Sequence, residues 1–239
     1  HLIADDSRFG QYASGAKLST DQAPILINND VESIADQLEP IPGKPLHFTL
    51  KTRMENAIHN EIQPFFEIHD SRYMMYWLAL SEDSYRGLLN DLTKAEQERQ
   101  ALEARTVDKV QPGEQQPETD HKMETDRSNT GNTNDCFWRD ASNGHYFSYL
   151  MQTNGEENLS LRLKYWGVGE WKSHEFDILI DDVLVKSVNN TGKYRISEFK
   201  YEVYEIPSEL LKGKTEVRVK FVAKPNKQIG EIYEVRLIK

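Results

Sequence analysis

Two stretches of the sequence combine tryptophan with glycine, carboxylate, amide and guanidinium groups. Trp166 and Trp171 stand at the two ends of Trp166-Gly167-Val168-Gly169-Glu170-Trp171, and Trp138-Arg139-Asp140 is followed by Asn143. A flat aromatic ring can cover the apolar C–H face of a sugar ring, while polar groups bind its hydroxyls. We interpret both stretches as candidate carbohydrate-binding loops, with contacts from Trp171, Trp138, Arg139, Asp140, Asn143 and Trp166.

Burial is the alternative for two of these tryptophans. Trp138 and Trp166 fall at the ends of predicted strands, where packing into a core is the default for a large aromatic side chain. Trp171 is therefore the first choice for a ligand platform.

A metal site is a second possibility, because acidic residues collect between positions 106 and 136. They are Glu114, Glu118, Asp120, Glu124 and Asp126. Several such oxygens in loops can bind calcium, whereas a solvated acidic surface is the commoner explanation. Cys136 is the single cysteine, which excludes an internal disulfide and a multi-cysteine metal site.

Nucleophilic and acid–base chemistry find little support. Cys136 would need a histidine partner in space, and His145 is near it only in sequence, so a small strand residue is the preferred interpretation. His69 and Asp70 are adjacent in an extended segment and would point to opposite faces, so we expect a turn stabilised by Asp70 and Arg72. No motif singles out a carboxylate pair among the 39 acidic residues, and we predict no catalytic residue.

The elements that would position these residues are mainly strands. After a turn predicted at Asp140 to Gly144, the chain alternates apolar and polar residues with a period of two, as in half-buried strands. The predicted strands span 159–166, 176–180, 183–185, 201–206, 217–222 and 232–238, with a turn at Asp181-Asp182 and a short helix at 208–211. This spacing is typical of a β-sandwich.

The first part of the chain predicts a second, smaller β-structure. Four short strands are expected at 23–27, 46–50, 62–68 and 73–80, one or two helical turns at 31–38, and loops elsewhere in residues 1–50. Apolar residues spaced three and four apart predict a helix over 82–105, with Ser81 as its N-cap. The expected fold is mainly β, with two jelly-roll-like β-sandwich domains: a truncated one at 1–80, a linker helix at 81–105 and an accessory domain at 106–239.

The composition and charge of the chain limit the classes of partner that it is expected to bind. The 239 residues carry a net charge of −10, which argues against nucleic acid and anionic membranes, and no run approaches the roughly 20 apolar residues of a membrane helix. The chain begins His1-Leu2-Ile3 without the features of a signal peptide, so we expect a processed chain or a fragment. A truncated sandwich exposes a sheet edge, which predicts a homodimer.

With these residues in view, the chain resembles the C-terminal part of the beta-L-arabinofuranosidase-like glycoside hydrolases, family 127 and its relatives. The resemblance lies in 4–10, 65–73 with Tyr76-Trp77, 112–118 and 137–144. It implies a helical catalytic domain in the same parent chain, absent from this sequence, and an extracytoplasmic protein acting on plant-type or other arabinose-containing glycans. It carries over no catalytic residue.

The terminal domain is also similar to galactose-binding-like sandwiches that serve as carbohydrate-binding modules. This likeness lies in 144–149, 176–182 and 230–235. Such modules often hold a structural calcium near their first and last strands, which makes Glu118 and Glu234 the candidate ligands; no other cofactor is expected.

Three hypotheses remain open. The chain is a non-catalytic accessory region of a larger glycoside hydrolase, which supports the catalytic domain and binds glycan. Alternatively, it is a free-standing carbohydrate-binding or adhesion module, or a glycosidase with paired carboxylates.

Overall fold

The computed structural model describes residues 2–8, 24–29, 35–56, 60–67, 71–74, 78–167 and 173–239, with side chains outside 2–8 and 71–74. Its contacts divide the chain into two units, His1–Gln97 and Glu98–Lys239. Strands dominate both, which confirms the predicted mainly-β class. Within the described residues, no helix combines the length and the apolar character that crossing a bilayer requires.

The first unit is built from short strands in two sheets. The strands are β1 (Leu2–Arg8), β2 (Ile25–Ile27), β3 (Leu38–Pro40), β4 (Phe48–Leu50), β5 (Arg53–Glu55), β6 (Glu61–Ile62), β7 (Ser71–Met74) and β8 (Leu78–Leu80). One sheet has the order β3-β4-β6-β1-β7 and the other β5-β2-β8. β2 is buried on both faces, because Leu26 packs in one apolar cluster and Ile25 with Ile27 in another.

Several predictions for this unit need correction. β1 lies in a segment predicted as loop, and the strand predicted at 62–68 ends at Ile62 and is followed by a 3-10 turn at Phe65–Glu67. Of the strand predicted at 73–80, the structure describes its two ends as β7 and β8. His69, Asp70, Tyr76 and Trp77 lie outside the described residues.

The predicted helix is confirmed as α1 (Glu82–Arg105). The Ser81 hydroxyl accepts a hydrogen bond from the backbone N–H of Ser84 at 3.2 Å, which is the capping contact expected at a helix start. Tyr85 is its buried residue, and most of the helix is exposed. The division between the two units falls within α1.

The second unit contains a nine-stranded sheet and two short helices. Its elements are β9 (Thr106–Val110), α2 (Gln115–Asp120), β10 (Glu124–Thr133), β11 (Cys136–Gln152), β12 (Ser160–Trp166), β13 (Glu175–Ile180), β14 (Val183–Asn189), β15 (Phe199–Glu205), α3 (Ser208–Leu211), β16 (Glu216–Ala223) and β17 (Ile232–Ile238). The order is β14-β13-β16-β11-β17-β12-β15, with β10 on β11 and β9 on β17. Thr106 of β9 pairs with Ile238 of β17.

The long strand β11 joins the two halves of this sheet. Its first part pairs with β17 through Arg139 and Ile232, and its second part pairs with β16 from Tyr146 onward. Between them Asn143 and Gly144 have φ values of 54° and 84°, a region that bends an extended strand. The predicted turn at Asp140 to Gly144 is therefore a bend within one strand.

Inward side chains of both halves form a single core. β12, β13 and β16 alternate between buried and partly exposed positions, which confirms the period-two prediction. The core includes Phe147 and Phe221 from one half and Leu161 and Val235 from the other. Strands that change layers at a bend are a known way to build such a sandwich.

The segment 106–136 differs most from expectation. The polar residues 128–135 predict a loop, and Pro112-Gly113 and Pro117 predict breaks in regular structure, but the segment holds β9, α2 and β10. The hairpin turn lies at Asn134-Asp135, with φ of 52° and 58°. Pro117 does not break α2, because it occupies the first turn, where a backbone N–H has no partner within the helix.

Candidate functional site

Glu118 and Arg139, predicted for two different sites, bind each other. The Arg139 Nε donates to Glu118 Oε1 at 2.6 Å and its Nη2 donates to Oε2 at 2.5 Å. Arg139 is 7% exposed, and its Nη1 donates to the Ser128 hydroxyl. The Tyr149 hydroxyl and the Gly113 N–H also donate to Glu118 Oε1, each at 2.8 Å. The guanidinium is thus engaged inside the domain instead of facing a ligand.

Electrostatics keep both members of this pair charged. Burial alone would raise the pKa of Glu118, but hydrogen bonds from Arg139, Gly113 and Tyr149 bring it below its ordinary value. Burial works to lower the pKa of Arg139, and the carboxylate beside it raises the pKa above the usual range. Burial first, and then the Glu118 charge, raise the pKa of the Tyr149 hydroxyl well above 10.0. The arrangement is a structural ion pair.

Trp138 is held by a cross-strand contact. Its Nε1–H donates to Thr133 Oγ1 at 3.2 Å. Its indole lies over Gly131, where a Cβ would come within 2.7 Å of Cε2. The backbone of β10 therefore covers part of this ring.

Asp140 and Asn143 fix the loop that precedes β17. Asp140 Oδ1 accepts a hydrogen bond from the Gly230 N–H at 2.9 Å. Asn143 Oδ1 accepts one from the Asn226 N–H at 3.1 Å, and its own N–H donates to the Lys227 carbonyl at 2.8 Å. These contacts join the bend of β11 to the 224–231 loop.

Trp166 belongs to a surface that the sequence did not single out. It meets Phe199 of β15 edge-on at 4.8 Å between ring centroids. The Lys164 ammonium lies 3.8 Å from the Phe199 centroid, and the Arg162 guanidinium carbon 3.9 Å from that of Tyr201. Tyr201 and Val203 are 49% and 53% exposed. We call this surface the outer aromatic face; it consists of Arg162, Lys164, Trp166, Phe199, Tyr201 and Val203.

Strand register assembles the outer aromatic face. Trp166 pairs with Phe199, Lys164 with Tyr201, and Arg162 with Val203. Alternate residues of a strand share a face, so the alternation in 160–166 could have revealed half of this surface. The pairing of β12 with β15 supplies the other half, and the sequence carries no signal for it.

Glu234 also pairs with arginines. It accepts hydrogen bonds from Arg162 and Arg236, each at 2.8 Å, and Arg236 in turn binds Glu103 at 3.0 Å. Within the described ranges, no group of three or more His, Cys, Asp or Glu side chains is arranged to hold a metal ion. The two predicted calcium ligands are thus both neutralised by guanidinium groups.

Trp171 and Cys136 are the two remaining candidates from the sequence. Trp171 lies outside the described residues. Cys136 Sγ is 3.6 Å from the Lys164 ammonium, while the His145 ring is paired with Asp126 at 2.8 Å. The structure therefore does not join Cys136 to His145.

Comparison with protein families gives two matches. A family of unknown function, DUF6805, matches residues 101–238. A domain of unknown function, DUF4986, matches residues 1–79. No curated protein matches the chain.

Among solved structures, a family 35 carbohydrate-binding module from Clostridium thermocellum shares 9% identity over 54% of this chain and 96% of its own, with a TM-score of 0.39. The CBM36-1 domain of a multidomain xylanase from the hindgut metagenome of Trinervitermes trinervoides shares 14% over 55% and 95%, with a TM-score of 0.38. The C-terminal CBM6 of a marine laminarinase from Zobellia galactanivorans shares 11% over 55% and 98%, with a TM-score of 0.35. At these scores the likenesses carry no functional argument.

Proposed function

We propose that this chain, which belongs to the DUF6805 family through residues 101–238, is a non-catalytic accessory region whose second unit binds glycan. We place it in an extracytoplasmic glycoside hydrolase, where it supports a helical catalytic domain of the same parent chain. Plant-type or other arabinose-containing glycans are the proposed substrates. The sequence resemblance in 4–10, 65–73, 112–118 and 137–144 supports this context.

The outer aromatic face is the observation that carries the binding proposal. Tyr201 keeps 49% of its surface exposed although the Arg162 guanidinium lies against its ring. An exposed ring offers the apolar surface that a sugar C–H face prefers, and Arg162 and Lys164 supply donors to hydroxyls beside it. Half-exposed aromatic side chains with adjacent donors are what a sugar site requires.

Rigidity favours binding at this surface. The aromatic residues sit on two paired strands, and their rings touch cations or other rings at 3.8 to 4.8 Å. Side chains held by such neighbours lose little rotational freedom when a ligand docks. Trp171, the first choice for a ligand platform from the sequence, stays a proposed glycan contact.

Glycan binding by the purified chain tests this proposal. An array that includes arabinose-containing oligosaccharides would be probed with the wild type, Tyr201→Ala and Tyr146→Ala. Tyr146 is a matched control, because it is also a strand tyrosine with a cation, Lys220, 4.5 Å from its ring centroid. We expect Tyr201→Ala to lose about tenfold or more in affinity and Tyr146→Ala to bind like the wild type.

Equal binding by the two variants would remove the outer aromatic face from the proposal, and binding to no glycan would overturn it. Trp171→Ala tests the proposed contribution of Trp171 to glycan binding independently of the outer aromatic face. Sedimentation velocity at high concentration tests the predicted homodimer through a sheet edge of residues 1–80, and a clean monomer would count against it.

A further inference from the structure

A second polar surface lies where the edge strands of the sheet in the second unit come together. β14 and β15 stand at opposite ends of the strand order, yet both line one cleft of about 330 Å³. Small-molecule sites in proteins span about 300 to 1,000 Å³, so this volume suits a single small ring. The residues that matter to the argument are Lys186, Asn190, Lys193, Glu202 and Tyr204.

Asn190 has an unsatisfied side chain in this cleft. The residue is 3% exposed, and its backbone N–H donates to the His174 carbonyl at 2.8 Å. Its Oδ1 is buried and has no hydrogen-bond partner in the described part of the chain. Buried polar atoms are almost always paired, so this one calls for a partner from outside. A hydroxyl group suits it, because a hydroxyl both donates and accepts.

The charges around Asn190 favour an anion. Lys193 Nζ binds Glu202 at 2.7 Å, and the Tyr194 hydroxyl donates to the same carboxylate. Lys186 is exposed and has no carboxylate partner among the residues that the structure describes. The cleft therefore holds two ammonium groups and one carboxylate, in a chain whose net charge is −10.

The hydroxyl and carboxylate groups of the cleft are engaged within the protein. Burial first raises the pKa of Tyr204, to about 12, so its hydroxyl keeps its proton at neutral pH. Burial would raise the pKa of Glu202, but hydrogen bonds from Lys193 and Tyr194 bring it below the ordinary value. The Glu202 carboxylate is therefore ionised and holds Lys193 and Tyr194 in place, and the Tyr204 hydroxyl lies 3.2 Å from that of Tyr165. These contacts leave Lys186 as the charged group of the cleft that is open to a ligand.

We propose that the cleft between β14 and β15 binds a sugar acid, with the ligand carboxylate on the Lys186 ammonium and a ligand hydroxyl on the Asn190 amide. This site shares only Val203 with the outer aromatic face, and the residues to which we assign the ligand, Lys186 and Asn190, lie outside that face. It rests on the proposed glycan-binding role only for the choice of a sugar ring as the carrier of these groups.

Calorimetric titration with D-galacturonate, D-galactose and acetate tests the assignment. We expect D-galacturonate to bind, and both D-galactose, which lacks the carboxylate, and acetate, which lacks the hydroxyls, to bind at least about tenfold more weakly. Lys186→Gln should remove the preference for the acid. Lys212→Gln, at another exposed lysine, should leave it unchanged.

Asn190→Asp gives a second, nearly isosteric variant. It adds a negative charge inside the cleft and should weaken D-galacturonate binding by about tenfold or more, with its thermal midpoint recorded to confirm folding. Tyr201→Ala should keep D-galacturonate binding, which distinguishes this site from the outer aromatic face. Failure of the wild type to bind D-galacturonate, or equal binding by Lys186→Gln, would overturn the proposal.

Discussion

Arg139 and Glu118 form a buried two-point ion pair, with Nε–Oε1 and Nη2–Oε2 distances of 2.6 and 2.5 Å. The pair fastens α2 to the first part of β11. Because Tyr149 and Gly113 donate to the same carboxylate, the Glu118 side chain holds three residues in place: Gly113, Arg139 and Tyr149. The stability of the second unit should therefore depend strongly on Glu118.

Glu118→Gln should destabilise the second unit by about 3 to 5 kcal/mol, since it leaves the Arg139 charge buried without a counter-charge. Urea denaturation followed by fluorescence measures the change. Glu156→Gln is the matched control, because Glu156 pairs with Lys239 at 2.5 Å on the exposed surface, where ion pairs contribute little. A urea midpoint for Glu118→Gln close to that of Glu156→Gln would contradict the stabilising role of the Glu118–Arg139 pair.

Removing both charges should be milder than removing one. Glu118→Met combined with Arg139→Met leaves no isolated charge in the interior, so we expect the double variant to be more stable than Glu118→Gln. The same urea experiment compares them. If the double variant were the less stable of the two, the hydrogen bonds to Tyr149 and Gly113 would outweigh the charge effect.

His121 should make stability depend on pH. Its Nδ1 lies 2.6 Å from the Pro117 carbonyl oxygen and its Nε2 3.1 Å from Asp108 Oδ1. Neither partner can donate, so the two contacts together favour the imidazolium form, in which both nitrogens carry hydrogen. The Asp108 hydrogen bond, against the effect of burial, raises the pKa of His121 above its ordinary value.

A folded-state pKa above the unfolded value of about 6.5 means that this contribution is fully present below about pH 6.5 and is lost as pH rises through the folded value. Thermal midpoints of the wild type and His121→Gln should therefore differ most below about pH 6.5, and the difference should shrink as the pH rises above that value. A difference that grew with pH would show the opposite linkage.

Gly131→Ala should disturb Trp138. The added Cβ would lie 2.7 and 2.9 Å from the indole Cε2 and Cη2, and overpacking of this kind typically costs about 1 to 3 kcal/mol. Near-UV circular dichroism should report the displaced indole. Thr133→Val removes the acceptor of the Nε1–H bond and a hydrogen bond to Tyr233, and should cost about 1 to 2 kcal/mol without displacing the indole. A Gly131→Ala variant with the near-UV spectrum of the wild type would contradict the expected overpacking.

Gly144→Ala should weaken the bend of β11. Gly144 has φ of 84°, and an alanine there meets a steric penalty of about 1 to 2 kcal/mol, although a Cβ would contact nothing within 4 Å. The expected loss is therefore conformational. Equal stability of the variant and the wild type would mean that the strand can bend elsewhere.

Burial explains which strands the sequence predicts. Inward positions of β12 and β13 are buried and outward ones partly exposed, so the core imposes an apolar–polar pattern on them. The sequence also predicts the hairpin turn at Asp181-Asp182. Both residues have positive φ, a conformation that aspartate tolerates. β10 has mostly exposed side chains. Its ladder with β11 holds it in place, and polar residues in such a strand look like a loop.

The sequence predicts the residues of the candidate site less well than the strands, for a different reason. Glu118 and Arg139 are 21 positions apart, and each has a side chain suited to a ligand. Nothing in the sequence indicates that they meet in the interior. The sequence does not mark Phe199 and Tyr201 as site residues either, because their partners Trp166 and Lys164 lie on a strand that only the fold brings beside them.

Thr106 and Ile238 pair where β9 meets β17, and the Lys239 N–H donates to the Arg105 carbonyl at 2.9 Å. The chain thus enters and leaves the second unit at one corner. If Thr106 and Ile238 were pulled apart, the hydrogen bonds between these antiparallel strands would break one after another from that end, instead of all together. The β9–β17 pairing would therefore break first, while the two halves of the sheet that β11 joins would stay folded and keep any bound ligand.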